Sequence, residues 1–214
     1  MKLLRLSVFV LVFAGAASIA AAQTADNLPR GNISGFATFA ASVSDGLDGG
    51  NGFGVSGAYF FSRLIGVEGG WRRQTFDVLS TEENSLSGGD LTANVITAGV
   101  VVRMATGRVQ PYAVGGLAFY INDYSIDPAA EEALAAFNFL VAESIDSVVG
   151  FNVGGGVDFQ ASGRVGVFVE GRFIAATADT AGSLTDLATQ ITAQTPGEQQ
   201  MNVFAVSGGI RILF

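Results

Sequence analysis

The 214-residue sequence has no cysteine, no histidine, four prolines and a single lysine, Lys2. Without cysteine there are neither disulfides nor thiolate metal sites, so packing, backbone pairing or a surrounding lipid phase must hold the fold. Without histidine the commonest general base and metal ligand is missing. Basic residues are few, 11 against 19 acidic ones, for a formal charge of −8. That sign argues against nucleic acid as a partner, since binding phosphates needs a cationic footprint. Long apolar runs are also scarce. Beyond residue 22 nothing approaches the roughly 20 uninterrupted apolar residues of a spanning helix, yet mean hydropathy is +0.44.

The opening stretch, MKLLRLSVFVLVFAGAASIAAAQ, sets Lys2 and Arg5 before an apolar run that gives way to small residues ending in Ala20-Ala21-Ala22. This is the pattern of a secretory signal peptide with an A-x-A cleavage site, so residues 1–22 are expected to be removed and excluded from the fold. Residues 23–30 are then a short periplasmic N-terminal segment, and residues 31–214 form one domain, since no Pro- or Ser-rich linker divides them.

What fills that domain is alternation. A period of 2 recurs in eight segments. In GNISGFATFAASVS, Ile33, Ala37, Phe39, Ala41 and Val43 share one parity, and Asn32, Ser34, Thr38 and Ser42 the other. FGVSGAYFF, IGVEGGWRRQTF, VGFNVGGGVDF, VGVFVEGRFIA and QMNVFAVSGGIRILF repeat the scheme, while QPYAVGGLAFYI begins on Pro111, where a missing ladder donor is tolerated. LTANVITAGVVVR is the fourth segment, and its register stays open. Connections alternate in length. Short joins fall near Ser62–Leu64, Ala105–Arg108 and Gln160–Arg164, and long ones near Asp45–Gly52, Val78–Asp90, Asn122–Asp146 and Ala176–Gln199. An even antiparallel meander with short turns at one end and long loops at the other is the plan of an outer-membrane barrel, with short turns and both termini on the periplasmic side.

Two long loops carry helical signals. Asp127 can cap, Pro128 suits the first helical position, and Glu131 and Glu132 fall in the first turn, with Leu134, Phe137 and Val141 expected on one apolar face. Ser183 with Asp186 resembles a capping box ahead of Leu184, Leu187 and Ile191, which predicts a second loop helix.

Which parity faces outward separates a soluble cup from a membrane barrel. Glu68, Arg72, Asn152, Asp158, Glu170 and Arg172 share their parity with glycines, and Trp71, Phe151 and Phe159 lie on the other. A soluble barrel would bury those charges around a cavity and show the aromatics to water, so the lipid-facing arrangement is far cheaper. The pairs Phe53/Phe61 and Phe151/Phe159 support it. Eight residues at about 3.3 Å each and about 40° tilt span roughly 20 Å, close to the about 25 Å apolar band between aromatic girdles.

The stretch FFSRLIGVEGGW, the segment QPYAVGGLAFY, the pair GFNVGGGVDF and GRVGVFVEGRF, and the terminal GGIRILF, in this order and spacing, resemble the small outer-membrane β-barrel superfamily of OmpA-like, OmpX-like and OmpW-like proteins across residues 31 to 214. The resemblance implies an all-β, eight-stranded antiparallel up-and-down transmembrane barrel with short helices in its long extracellular loops. It also implies that Ile210, Ile212 and Phe214 form a targeting signal read by the barrel-assembly machinery, and that the partners are outer-membrane lipid and that machinery.

The chemistry expected of such a chain is modest. Charges inside a narrow barrel must be paired, so Glu68, Arg72, Glu170 and Arg172 are expected to form a lumenal network. It reads either as a structural plug, because side chains nearly fill eight strands, or as a gate whose pairs exchange to open a narrow channel. Outer-membrane enzymes that resemble this size class generally use a histidine, and the sequence has none, so no catalytic residue and no cofactor is expected. Asp45, Asp48 and Asn51 in DGLDGGNG are spaced by three, unlike an alternating calcium loop, and a Gly/Asp-rich turn explains them better, so no metal site is expected. The function that follows is a structural or surface-interaction role for a monomer, with uptake of small, even hydrophobic, solutes as the alternative.

Overall fold

In the computed structural model, which describes residues 29–43, 47–78, 89–186, 188–189 and 191–214, eleven strands and one helix follow one another. They are β1 (Gly31–Ser42), β2 (Leu47–Phe60), β3 (Ile65–Val78), β4 (Gly89–Arg103), β5 (Val109–Ile126), α1 (Pro128–Ala136), β6 (Phe139–Ile145), β7 (Val148–Gln160), β8 (Val165–Ala175), β9 (Thr177–Asp186), β10 (Ile191–Gln200) and β11 (Val203–Leu213). The signal-peptide and cleavage expectations, and Asp45, lie outside the described residues. No helix among the described residues is long and apolar enough to cross a membrane.

Eight strands close into a barrel in the order β1-β2-β3-β4-β5-β7-β8-β11, with β11 returning to β1. Every neighbouring pair is antiparallel. Closure is sealed at the chain's last residue. Gly31 N donates to the Phe214 carbonyl at 2.8 Å, and Phe214 N returns a bond to Gly31 at 3.0 Å. With no Cβ at position 31 the Phe214 ring lies over the Gly31 backbone, and a side chain there would displace that exposed ring.

Two of the three short turns share a device. Ser62 Oγ accepts from the Leu64 and Ile65 amides at 3.3 and 2.9 Å, and Ser162 Oγ accepts from the Arg164 and Val165 amides at 3.3 and 3.1 Å. The hydroxyl satisfies donors that a tight reversal leaves free.

Parity falls as the sequence indicates. Ile33, Phe39, Phe53, Val55, Phe61, Leu117, Phe151, Phe159, Val169, Ile210 and Ile212 stand exposed on the outer surface. Left in water, each would forfeit about 1.5–3 kcal/mol of burial, so the surface fits an apolar phase. The open register of β4 resolves with Leu91, Ala93, Val95 and Thr97 inward and Ile96, Val100 and Val102 outward.

The interior is layered, which the polar parity alone did not reveal. A small apolar layer of Phe60, Val101, Tyr112 and Val114 lies toward the short turns. Above it comes a belt of charges. Toward the long loops the inward positions turn apolar again, and Phe76, Leu91, Val95, Tyr120, Ile174 and Val203 pack into a stopper. Ile145 of β6, Ala178 of β9 and Met201 join this stopper, so the loop structure is rooted in the barrel.

The loops themselves depart from the two-helix expectation. α1 forms from Pro128 as read, but it ends at Ala136, where Asn138 adopts a left-handed φ of 63°. Asparagine tolerates that conformation, and it turns the chain into β6. Leu134, Phe137 and Val141 therefore do not share a helix face. Leu134 is half-buried in α1, Phe137 lies beyond the helix and is 76% exposed, and Val141 belongs to β6. The second helix is replaced by the hairpin β9–β10, which with β6 makes a three-stranded sheet in the order β6-β9-β10. Threonine content explains the outcome. Thr177, Thr180, Thr185, Thr192 and Thr195 are β-branched, Pro196 would break a helix, and Thr185 faces Thr192 across the hairpin with hydroxyls 2.9 Å apart. The first loop is also shorter than read, because β2 already begins at Leu47 and carries Asp48 and Asn51 within the strand.

Candidate functional site

The charge belt is built by inward positions of β3, β7, β8 and β11. Glu68 and Arg72 alternate inward on β3, and Glu170 and Arg172 on β8. Gly154, facing Arg172 across β7 and β8, lets the two strands approach closely, since a Cβ there would meet the Gly171 carbonyl and sit 2.8 Å from the Arg172 Cα. Arg172 is the hub. Its Nη2 donates to Glu68 at 2.7 Å and to Glu170 Oε2 at 2.9 Å, its Nε donates to Glu170 Oε1 at 2.9 Å, and its Nη1 reaches Asn152 at 3.3 Å.

Three of the four expected residues thus form one ion triad. Arg72 does not join it. It is 3% exposed, lies with its guanidinium 5.7 Å from the Phe36 ring centre, and its Nη1 has no partner. It does line, with Glu68, Glu170 and Arg172, a cavity of about 10 Å³. That is scarcely room for one water.

The network extends further than the four residues read from sequence. The Tyr112 hydroxyl donates to Glu170 at 3.0 Å and accepts from Arg211 Nη2 at 3.1 Å. Arg211 then chelates both carboxylate oxygens of Asp158 and donates to Ser34 at 3.2 Å. Asp158 and Arg211 sat on the polar parity and were legible there. Tyr112 was not, because a tyrosine among Val and Ala reads as ordinary strand content. At the short-turn end Arg103 stacks 3.4 Å above the Phe60 ring and donates to the Pro29 carbonyl at 3.3 Å. With Asp158, Arg211 and Gln110 it lines another cavity of about 10 Å³.

Room for a ligand lies elsewhere. A groove of about 370 Å³ runs across the three-stranded sheet, lined by Glu143 of β6, Gly182 and Ser183 of β9, and Gln194, Thr195 and Pro196 of β10. Hydroxyls, an amide and one carboxylate give it hydrogen-bonding capacity without a nucleophile–base pair. Among the described residues no group of three acidic side chains is placed to hold a metal.

Eight antiparallel strands closed on a charged interior, with an apolar exterior and short turns at one end, define the class of small outer-membrane β-barrels. The chain belongs to the outer membrane protein beta-barrel domain family, whose profile matches residues 8–203. Among solved structures it is similar to the outer membrane protein OprG from Pseudomonas aeruginosa, at 16% identity and a TM-score of 0.65 over 87% of this chain and 96% of that one. It is also similar to Neisserial surface protein A, at 14% identity and a TM-score of 0.52 over 88% and 100%. The attachment invasion locus protein Ail of Yersinia pestis shares 18% identity at a TM-score of 0.50, over 88% and 100%. At these identities the likeness is one of fold. No curated protein sequence matches the chain.

Proposed function

We propose that this protein is a non-enzymatic surface-interaction protein, in which a closed barrel anchors an extracellular binding crown. It is exported by its signal segment, inserted with the short turns and both barrel ends toward the periplasm, and acts as a monomer. Its Ile210, Ile212 and Phe214 are read by the assembly machinery. The carrying observation is the contrast in space, about 370 Å³ in the groove of the crown sheet against about 10 Å³ in each of the two lumenal cavities described above. A lumen filled by an ion triad between two apolar layers is a plug, whereas an open, largely apolar groove edged with hydroxyl, amide and carboxylate groups on an outward sheet is a place to bind.

The test fills the groove and leaves the barrel untouched. Ser183→Arg with Thr195→Arg, in cells carrying the protein, should abolish attachment to the surfaces those cells bind, while the barrel keeps its heat-modifiable gel mobility. Undiminished attachment by the double variant overturns the reading.

A second reading, a narrow channel, rests on Arg72. A second guanidinium shares the cavity of Glu68 and Glu170 without being bonded to either, so an exchange of partners with Arg172 would loosen the belt. Single-channel recordings that stay silent for both the parent protein and Glu68→Ala remove it.

A further inference from the structure

Among the described residues seven buried side-chain atoms have no hydrogen-bond partner, and five of them lie together. They are Arg72 Nη1, Gln74 Nε2, Gln74 Oε1, the Tyr120 hydroxyl and Asn122 Oδ1. Arg72 and Gln74 are successive inward positions of β3, and Tyr120 and Asn122 are successive inward positions of β5. Register puts Arg72, Val95 and Tyr120 in one row and Gln74, Ala93 and Asn122 in the next. The intervening strand offers only the apolar side chains of Val95 and Ala93 to this wall, so the five atoms find no partner on it. Gln74 and Tyr120 are each 1% exposed, and native interiors rarely leave such groups unpaired.

We infer that a file of internal water molecules occupies this seam, entering past Asn122 at the long-loop end and stopping at Arg72. The chemistry selects water over an ion. Arg72 and Gln74 Nε2 offer donors, Gln74 Oε1 and Asn122 Oδ1 offer acceptors, and the Tyr120 hydroxyl is both. A bound anion would face two carbonyl oxygens, and a bound cation would face the guanidinium. Only a molecule that donates and accepts in the same small volume meets all five. The outer entrance fits, because Asn122 Nδ2 is already bonded at the crown, to the Asp146 carbonyl at 2.7 Å and to Met201 Sδ at 3.6 Å, which leaves its oxygen free. The inner end fits as well, since Arg72 lines, together with the triad, the cavity of about 10 Å³, at the lower limit of what holds one water. Below that point Arg172 bridges both glutamates and closes the route. The seam is therefore a blind inlet. It carries water through one wall of an otherwise apolar stopper to the charge belt, and it passes no solute.

Water-edited solid-state NMR of the labelled protein in lipid bilayers tests this. The Gln74 side-chain amide should receive magnetisation from water as quickly as exposed crown residues do, and well before the methyl groups of Ile174 and Val203 on the stopper. A Gln74 signal that builds up no faster than those methyls overturns the inference. Gln74→Leu gives an independent reading by urea unfolding in vesicles. An amide held by water loses those contacts and the unfolding midpoint falls, whereas a dry, unpaired amide is relieved by leucine and the midpoint rises, which also overturns it.

Discussion

Replacing Arg172 by methionine removes the one guanidinium bonded to both Glu68 and Glu170, at 2.7 and 2.9 Å. Methionine keeps much of the stem's volume, so the loss is chiefly that of the charge and its four hydrogen bonds. Both glutamate side chains are only 5% exposed, so neither can regain hydration in place. Arg72 lines the same cavity and remains to offset one carboxylate, which leaves one to be neutralised. Protonating a glutamate of ordinary pKa at pH 7 costs about 3.7 kcal/mol, at about 1.4 kcal/mol per pH unit. Breaking a buried pair by removing one partner costs about 3–5 kcal/mol by experience. The two bounds agree, and Arg172→Met is expected to lose about 4 kcal/mol of stability at pH 7. Because acid supplies the missing proton, the deficit should shrink by about 2.7 kcal/mol between pH 7 and pH 5. Urea unfolding of barrels refolded into phospholipid vesicles, scored by gel mobility without heating, measures both. A loss below about 1 kcal/mol at pH 7, or a deficit that does not change between the two pH values, refutes the reasoning.

Other outcomes follow from the same geometry. At Gly156 a Cβ would run into the Val169 carbonyl and sit 2.6 Å from the Tyr112 hydroxyl, so Gly156→Ala should lower stability by about 1–3 kcal/mol, whereas Gly35→Ala, which meets open space, should leave the unfolding midpoint in place. Asn138→Val, at φ 63°, should destabilise the junction between α1 and β6 by about 1–2 kcal/mol, seen as faster amide exchange in β6 with barrel strands unaffected. Deleting Phe214 should reduce the amount of barrel assembled in cells several-fold, while protein refolded in detergent melts close to the parent; normal assembly would contradict the role given to that residue.

The barrel was legible in the sequence because period-2 alternation is a direct image of a two-sided sheet. Ile33 through Val43 on one parity and Ser34 through Ser42 on the other is a pattern that only a strand with two solvents explains. Charges at 68, 170 and 172 sat on the inward parity, so their burial could be read as well. Their pairing could not. Which carboxylate meets which guanidinium depends on strand stagger around the barrel, and Arg172, not Arg72, proves to serve Glu68 although Arg72 is nearer in sequence. The apolar stopper was hidden for a related reason. Phe76, Leu91 and Val95 lie inward at the long-loop ends of β3 and β4, where the outward residues Thr75, Asp77 and Thr92 turn polar, so the contrast between parities reverses there. The crown was misread where helical spacing in SLTDLATQI competed with threonine and Pro196 across a wider window. Pairing with β6 gave the hairpin a partner that no local pattern contains.

The central claim is that the outward apolar face meets lipid while the charges face a closed lumen, and Trp71 reports on it alone. It is the only tryptophan in the chain. It stands on the outward parity of β3, between Val67 on the apolar side and Arg73 on the polar one, with its ring edge-on to Phe53 at 5.8 Å. In vesicles whose acyl chains carry bromine close to the headgroups, the depth of an aromatic girdle, the account predicts that Trp71 fluorescence is strongly quenched and that acrylamide in the water quenches it little. Strong acrylamide quenching with no effect of the brominated chains would contradict it.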